Sequence, residues 1–121
     1  FSPVRIMGKP KEMCLENYNI DKDQKKASLF YTYNGEVIRY SMYMNNTDSS
    51  FGQKEVDNLE SEYLIKEEKC EVEVSEYKIA DNDEKRYVAE FEYLDVHYQI
   101  KGVMKKDEIE KILKNLFFQE K

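Results

Sequence analysis

The sequence predicts an α+β domain: a single twisted antiparallel β-sheet of about six or seven strands, with one C-terminal amphipathic helix packed on one face. Three observations carry this expectation. Short segments alternate apolar and polar residues along much of the 121-residue chain, the pattern of a sheet with one covered face. Turn-forming pairs and clusters, Asn34-Gly35 the sharpest, separate those segments. After Val103 the apolar period changes from that of a strand to that of a helix.

Each element follows in order. Residues 1–11 are broken by Pro3, Gly8 and Pro10 and read as a lead-in or linker remnant, leaving 12–121 as one α+β domain. Met13 to Ile20 is half apolar and forms a first strand, closed by a charged turn from Asp21 to Lys25. Lys26 to Tyr33 puts Ala27, Leu29, Tyr31 and Tyr33 on one face; Glu36 to Met44 returns with Ile38, Tyr40, Met42 and Met44 together. Asn34-Gly35 supplies the positive φ angles that a tight hairpin between them requires.

The polar run from Asn45 to Gly52 reads as an exposed loop and a natural place for recognition. Glu62 to Glu67 and Cys70 to Ile79 are further strands, with Cys70, Val72 and Val74 facing one way, before a turn at Asp81 to Glu84. Tyr87, Ala89, Phe91 and Tyr93 then oppose Glu90 and Glu92, and Leu94, Val96, Tyr98 and Ile100 oppose Asp95, His97, Gln99 and Lys101. This is the alternation of one wet face and one covered face. A helix follows, capped by Asp107 with Glu110 completing a capping box, and its stripe of Ile109, Ile112, Leu113, Leu116 and Phe117 covers the sheet.

Composition bounds the function. Hydrophobic residues make up 40% and charged residues 36% of the chain, enough apolar surface for one core and a well-solvated exterior. The net charge of −6 opposes nucleic-acid backbones and anionic lipid surfaces, since there is no basic stripe to release counterions. Lys9, Lys11, Lys25-Lys26 and Lys105-Lys106 are diluted by neighbouring acids. No run approaches the roughly 20 apolar residues of a membrane span, and no leader or lipidation signal is visible. The chain begins at Phe1, so it is expected to be a processed product or a fragment of a longer precursor, reaching a membrane only through a missing N-terminal anchor.

The residues that could carry chemistry are few. Cys14 and Cys70 are the two cysteines. A structural disulfide between them, if their Cβ atoms come within reach, and two free cysteines are both open readings. His97 is the one histidine, and Asp95 is its available acid, yet no nucleophile elbow accompanies them, so a hydrolase using His97 is the least favoured reading. Asp81 to Glu84 starts like a calcium loop with Glu92 at its twelfth position, but Lys85 and Arg86 stand where a ligand and a glycine belong, and no metal or other cofactor is expected. Among ten tyrosines, Tyr31, Tyr33, Tyr40, Tyr43, Tyr93 and Tyr98 all fall in strands or their ends. They form either a half-exposed surface that holds a ligand or partner or ordinary cross-strand packing.

Tyr98-Gln99-Ile100-Lys101-Gly102-Val103, then Lys106-Asp107-Glu108-Ile109 and Lys111-Ile112-Leu113, with Thr47-Asp48-Ser49-Ser50 upstream, resemble the bacterial family known as domain of unknown function 4367. The resemblance spans roughly Lys9 to Phe118. It implies an extracytoplasmic domain of Gram-positive bacteria, often downstream of a membrane span in proteins that resemble anti-sigma factors, and it implies no activity. The expected function is a non-catalytic sensory or protein-interaction module of a membrane-anchored or secreted protein. The alternative is a carrier or sensor of a small apolar ligand or lipid held between sheet and helix.

Overall fold

The computed structural model describes residues 4–7, 10–23, 25–44, 58–67, 69–79 and 85–118. Along them run β1 (Val4–Ile6), β2 (Cys14–Asp21), β3 (Lys26–Tyr33), β4 (Glu36–Met44), β5 (Asn58–Lys66), β6 (Glu71–Lys78), β7 (Lys85–Tyr93), β8 (Val96–Met104), α1 (Lys106–Lys114) and β9 (Leu116–Phe118). The expected recognition loop at 45–52 and the acidic turn at 81–84 lie outside the described residues.

Seven strands form one antiparallel sheet in the order β2-β3-β4-β8-β7-β6-β5. It is built from two meanders, β2-β3-β4 and β5-β6-β7-β8, in each of which strands consecutive along the chain are neighbours in the sheet. Asn34 and Gly35 take φ of 53° and 76°, the doubly positive turn that matches strand twist. The meanders are joined where β4 lies against β8, with Tyr40 opposite Ile100 and Met42 opposite Tyr98.

The inner face carries the core. Ile38, Tyr40 and Met42 of β4, Tyr98 and Ile100 of β8, Tyr87 and Ala89 of β7, and Val72 and Val74 of β6 are all essentially inaccessible. Above them lie Ile109, Ile112 and Leu113 of α1, each 0% exposed. Tyr33 of β3 donates its hydroxyl to Glu108, and Tyr63 of β5 donates to Glu110 at 3.4 Å. Residues two apart on a helix project from nearly opposite flanks, so α1 lies in a trough whose walls are β3 on one side and β5 on the other. The sheet is therefore curved around the helix.

Several expectations need correction. The segment assigned as a lead-in holds β1, which pairs with β9 from Val4 opposite Phe118 to Ile6 opposite Leu116. Val4 is 0% exposed and its carbonyl accepts from the Tyr40 hydroxyl at 2.8 Å, so this stretch belongs to the core. The helix is capped by Lys105 rather than Asp107, because Glu108 reaches back to the Lys105 N–H at 2.8 Å. It ends at Lys114, since Leu116–Phe118 leave the helical period to pair with β1.

The outer face also departs from expectation. Its centre is not wet: Ser41, Tyr43, Gln99 and Val103 are buried. Polar groups there satisfy one another, with the Ser28 and Ser41 hydroxyls 3.2 Å apart and Gln99 donating to Glu90 at 3.4 Å. Leu94 and Asp95, expected as strand residues, form the β7–β8 turn with φ of 52° and 64°.

Candidate functional site

The six tyrosines do not share one surface. Tyr31, Tyr33, Tyr40 and Tyr98 are buried on the inner face, Tyr93 is half-buried there with its ring edge-on to Phe118 at 5.0 Å, and Tyr43 is buried on the outer face. Tyr98 is stacked between Phe91 at 4.9 Å and Tyr40 at 5.9 Å. These rings fill the space between sheet and helix, where the alternative reading places an apolar ligand. Such a ligand would have to displace α1 from Tyr33 and Tyr63.

Cys14 and Cys70 are both free. Cys14 is exposed on the edge strand β2, Cys70 half-buried just before β6, and β3, β4, β8 and β7 lie between those strands. Five strand spacings amount to roughly 24 Å along a sheet, against a Cα separation of about 7 Å at most for a bridge. Burial, then the nearby negative charge of Glu67, push the Cys70 thiol up to about 11, which keeps it protonated and weakly nucleophilic.

His97 does not share a strand face with Asp95, which sits in the exposed turn. Instead His97 is half-buried, opposite Glu92 in register and stacked on Tyr43 with ring centroids 5.1 Å apart. Both residues line a hollow of about 500 Å³ together with Cys70, Glu73, Glu90 and Glu92. Strand alternation turns the Glu73, Glu90 and Glu92 side chains to the outer face and the rings of Phe91 and Tyr98 inward. Glu73 and Glu90 are direct cross-strand partners, and with Glu71 and Glu92 they outnumber Lys69, which lines the same hollow, so its charge balance is acidic.

A second polar cluster lies within the inner layer. Glu76, 7% exposed, accepts from Tyr87 at 3.0 Å, Lys85 at 3.3 Å and Ser61 at 3.4 Å, and Lys85 also pairs with Glu60 at 2.5 Å. Burial favours the neutral acid, but the Tyr87 and Lys85 hydrogen bonds, with the charges of Lys85 and Lys106, outweigh it and lower the Glu76 pKa. This cluster ties β5, β6 and β7 together next to α1, a structural role.

The feature that sequence reasoning missed is on β2. Leu15, Tyr18 and Ile20 lie opposite Tyr31, Leu29 and Ala27 of the inner face, yet they are 51%, 64% and 60% exposed. The apolar inner surface thus continues past its covering layer onto an edge strand. A bulge between Leu15 and Asn17 puts an odd-numbered and two even-numbered residues on one face, so the alternation is hidden in the sequence. An apolar residue on each side of a bulge-sized gap, in a strand of polar neighbours, is the only trace it leaves.

The opposite edge differs in chemistry. β5 carries Glu60, Glu62 and Lys66, the charges that keep an edge from pairing. β2 carries Glu16 in its bulge and Asp21 at its end, with no charged residue, lysine or proline between them. Among the described residues no helix is long and apolar enough to cross a membrane, and no three His, Cys, Asp or Glu side chains are grouped to hold a metal ion.

Comparison with known families matches residues 3–116 to the family described as domain of unknown function (DUF4367). No curated protein and no solved structure matches.

Proposed function

We propose that this chain, which belongs to the DUF4367 family, is a non-catalytic extracytoplasmic domain that acts by binding protein, as a sensory or interaction module of a membrane-anchored or secreted bacterial protein. The observation that carries the reading is the uncovered stripe of Leu15, Tyr18 and Ile20 along an edge strand whose regular stretch, Asn17 to Ile20, holds no charged residue. An open edge offers backbone donors and acceptors, and an adjacent apolar face gives a docked strand something to bury; the Tyr18 N–H, which donates to Asn17 Oδ1 at 2.8 Å, would exchange that local bond for one to the docked strand. The non-catalytic part is supported by the separation of His97 from Asp95 and by a Cys70 thiol held protonated.

Two measurements test it. A photo-crosslinking residue at Tyr18 of the full-length protein in its own cells should yield a protein adduct, whereas one at Leu64, exposed on the β5 edge, should not. Equal yields from the two edges, or none from Tyr18, would reject the binding surface. Exposed Cys14 should react with a membrane-impermeant thiol reagent on intact cells with a permeable wall; protection until lysis would reject the compartment.

A further inference from the structure

We propose that β2 is the site where two copies of this chain meet, their edge strands running antiparallel about a two-fold axis at Asn19, so that the two seven-stranded sheets become one. The inference rests on the reading of β2 as a protein-binding edge and names its occupant.

The regular part of the edge is short and specific. The bulge at Glu16 leaves Asn17 to Asp21 in unbroken register with β3, with Phe30, Leu29, Ser28, Ala27 and Lys26 as their partners. An axis perpendicular to the sheet keeps inner face continuous with inner face, and opposed residues in an antiparallel pair point the same way. Centred on Asn19, the pairing sets Tyr18 against the partner's Ile20 and Ile20 against the partner's Tyr18. An aromatic ring beside a β-branched side chain is a favourable cross-strand pair, and both residues are more than half exposed in the single chain.

The polar positions agree with this register. Asn17 meets the partner's Asp21, an amide beside a carboxylate; Asn19 meets its own copy; and Glu16, in the bulge, comes alongside the partner's Lys22. No like charges are opposed. Moving the axis to Tyr18 would set Glu16 against the partner's Ile20, and moving it to Ile20 would set Tyr18 against the partner's Lys22. Each shift draws the Glu16 bulge or the Lys22 turn into the pairing, whereas Asn19 is the midpoint of the regular stretch Asn17 to Asp21, so this one strand favours one isologous pairing. The contact is smaller than a standard interface of roughly 1,600 Å², and the dimer is therefore reversible, its population rising with concentration.

Sedimentation velocity of the purified chain over a wide concentration range should show a monomer–dimer equilibrium. Asn19→Lys places two like charges at the axis and should weaken it by at least about tenfold, while far-UV circular dichroism stays unchanged because Asn19 is exposed. In a Cys14→Ser background, Asn19→Cys should cross-link to its copy on mild oxidation and Asn17→Cys should not. A strict monomer, a dimer indifferent to Asn19→Lys, or equal cross-linking at the two positions would overturn the proposal. A strict monomer that still gives the Tyr18 protein adduct in cells would overturn only the second copy as occupant, leaving the interaction module standing.

Discussion

Gly102 of β8 lies against Ile38 of β4 so closely that a Cβ on the glycine would sit 2.6 Å from Ile38 Cγ1 and 3.1 Å from its Cβ and Cγ2. Both residues face the core at the seam between the two meanders, and Ile38 is 0% exposed. Gly102→Ala should therefore destabilise by about 1–3 kcal/mol through overpacking, read as a lower urea midpoint. Ile38→Ala in the Gly102→Ala background should recover part of the loss relative to the sum of the single variants; strict additivity would mean that the two do not compete for this space.

Glu76 makes stability depend on acid. Its folded pKa is depressed, so its contribution is present above the ordinary glutamate value and lost as pH falls through the lowered folded value. Glu76→Gln should cost about 1–3 kcal/mol at neutral pH and should flatten the acid limb of the stability–pH curve. An acid limb identical in the variant would assign that dependence to other carboxylates.

Alkali should act through the phenols. The hydrogen bond that the Tyr33 hydroxyl donates to Glu108, followed by burial, pushes Tyr33 up to about 12. Burial, followed by the Glu110 charge, does the same for Tyr63, also up to about 12. Tyr31, Tyr87 and Tyr98 are raised as well. A raised folded pKa gives stability that is complete below the unfolded value, near 10, and is lost as pH rises through about 12 for Tyr33 and Tyr63. Phenolate absorbance should thus grow in two stages, the later one coinciding with loss of helical circular dichroism. A single stage near the ordinary tyrosine value would contradict the tethering of α1 by these hydroxyls.

Tyr40 and Tyr98 should respond oppositely to loss of the hydroxyl. The Tyr40 hydroxyl donates to the Val4 carbonyl, whereas the buried Tyr98 hydroxyl has no hydrogen-bond partner among the described residues. Tyr40→Phe should cost about 1 kcal/mol, and Tyr98→Phe should be neutral or stabilising because it removes an unsatisfied polar group. Chemical denaturation of both variants checks the sign; a large loss for Tyr98→Phe would reveal a partner for that hydroxyl.

The β7–β8 turn stores strain. Leu94 and Asp95 both lie in the left-handed region, which costs an ordinary residue roughly 1 kcal/mol or more, and Leu94 is 45% exposed. Replacing the pair by Asn-Gly should stabilise the fold by roughly 1–2 kcal/mol. A lower unfolding midpoint would mean that Leu94 makes a contact worth more than the strain.

The sequence by itself determined what depends on neighbours along the chain. Alternation in Lys26 to Tyr33 and Glu36 to Met44 around Asn34-Gly35, the alternation of Tyr87, Ala89 and Phe91 and of Val96, Tyr98 and Ile100, and the stripe of Ile109, Ile112 and Leu113 all specify local geometry, and the structure contains each of them. Partnerships between distant segments were decided only in three dimensions. The joining of β4 to β8, the recruitment of Val4–Ile6 by Leu116–Phe118, and the separation of Cys14 from Cys70 leave no periodic signal. The stripe of Leu15, Tyr18 and Ile20 was concealed for a related reason. One bulge breaks the period on which sequence reading depends, and whether an apolar residue is covered is settled by what packs over it, and on β2 no described residue buries Leu15, Tyr18 or Ile20.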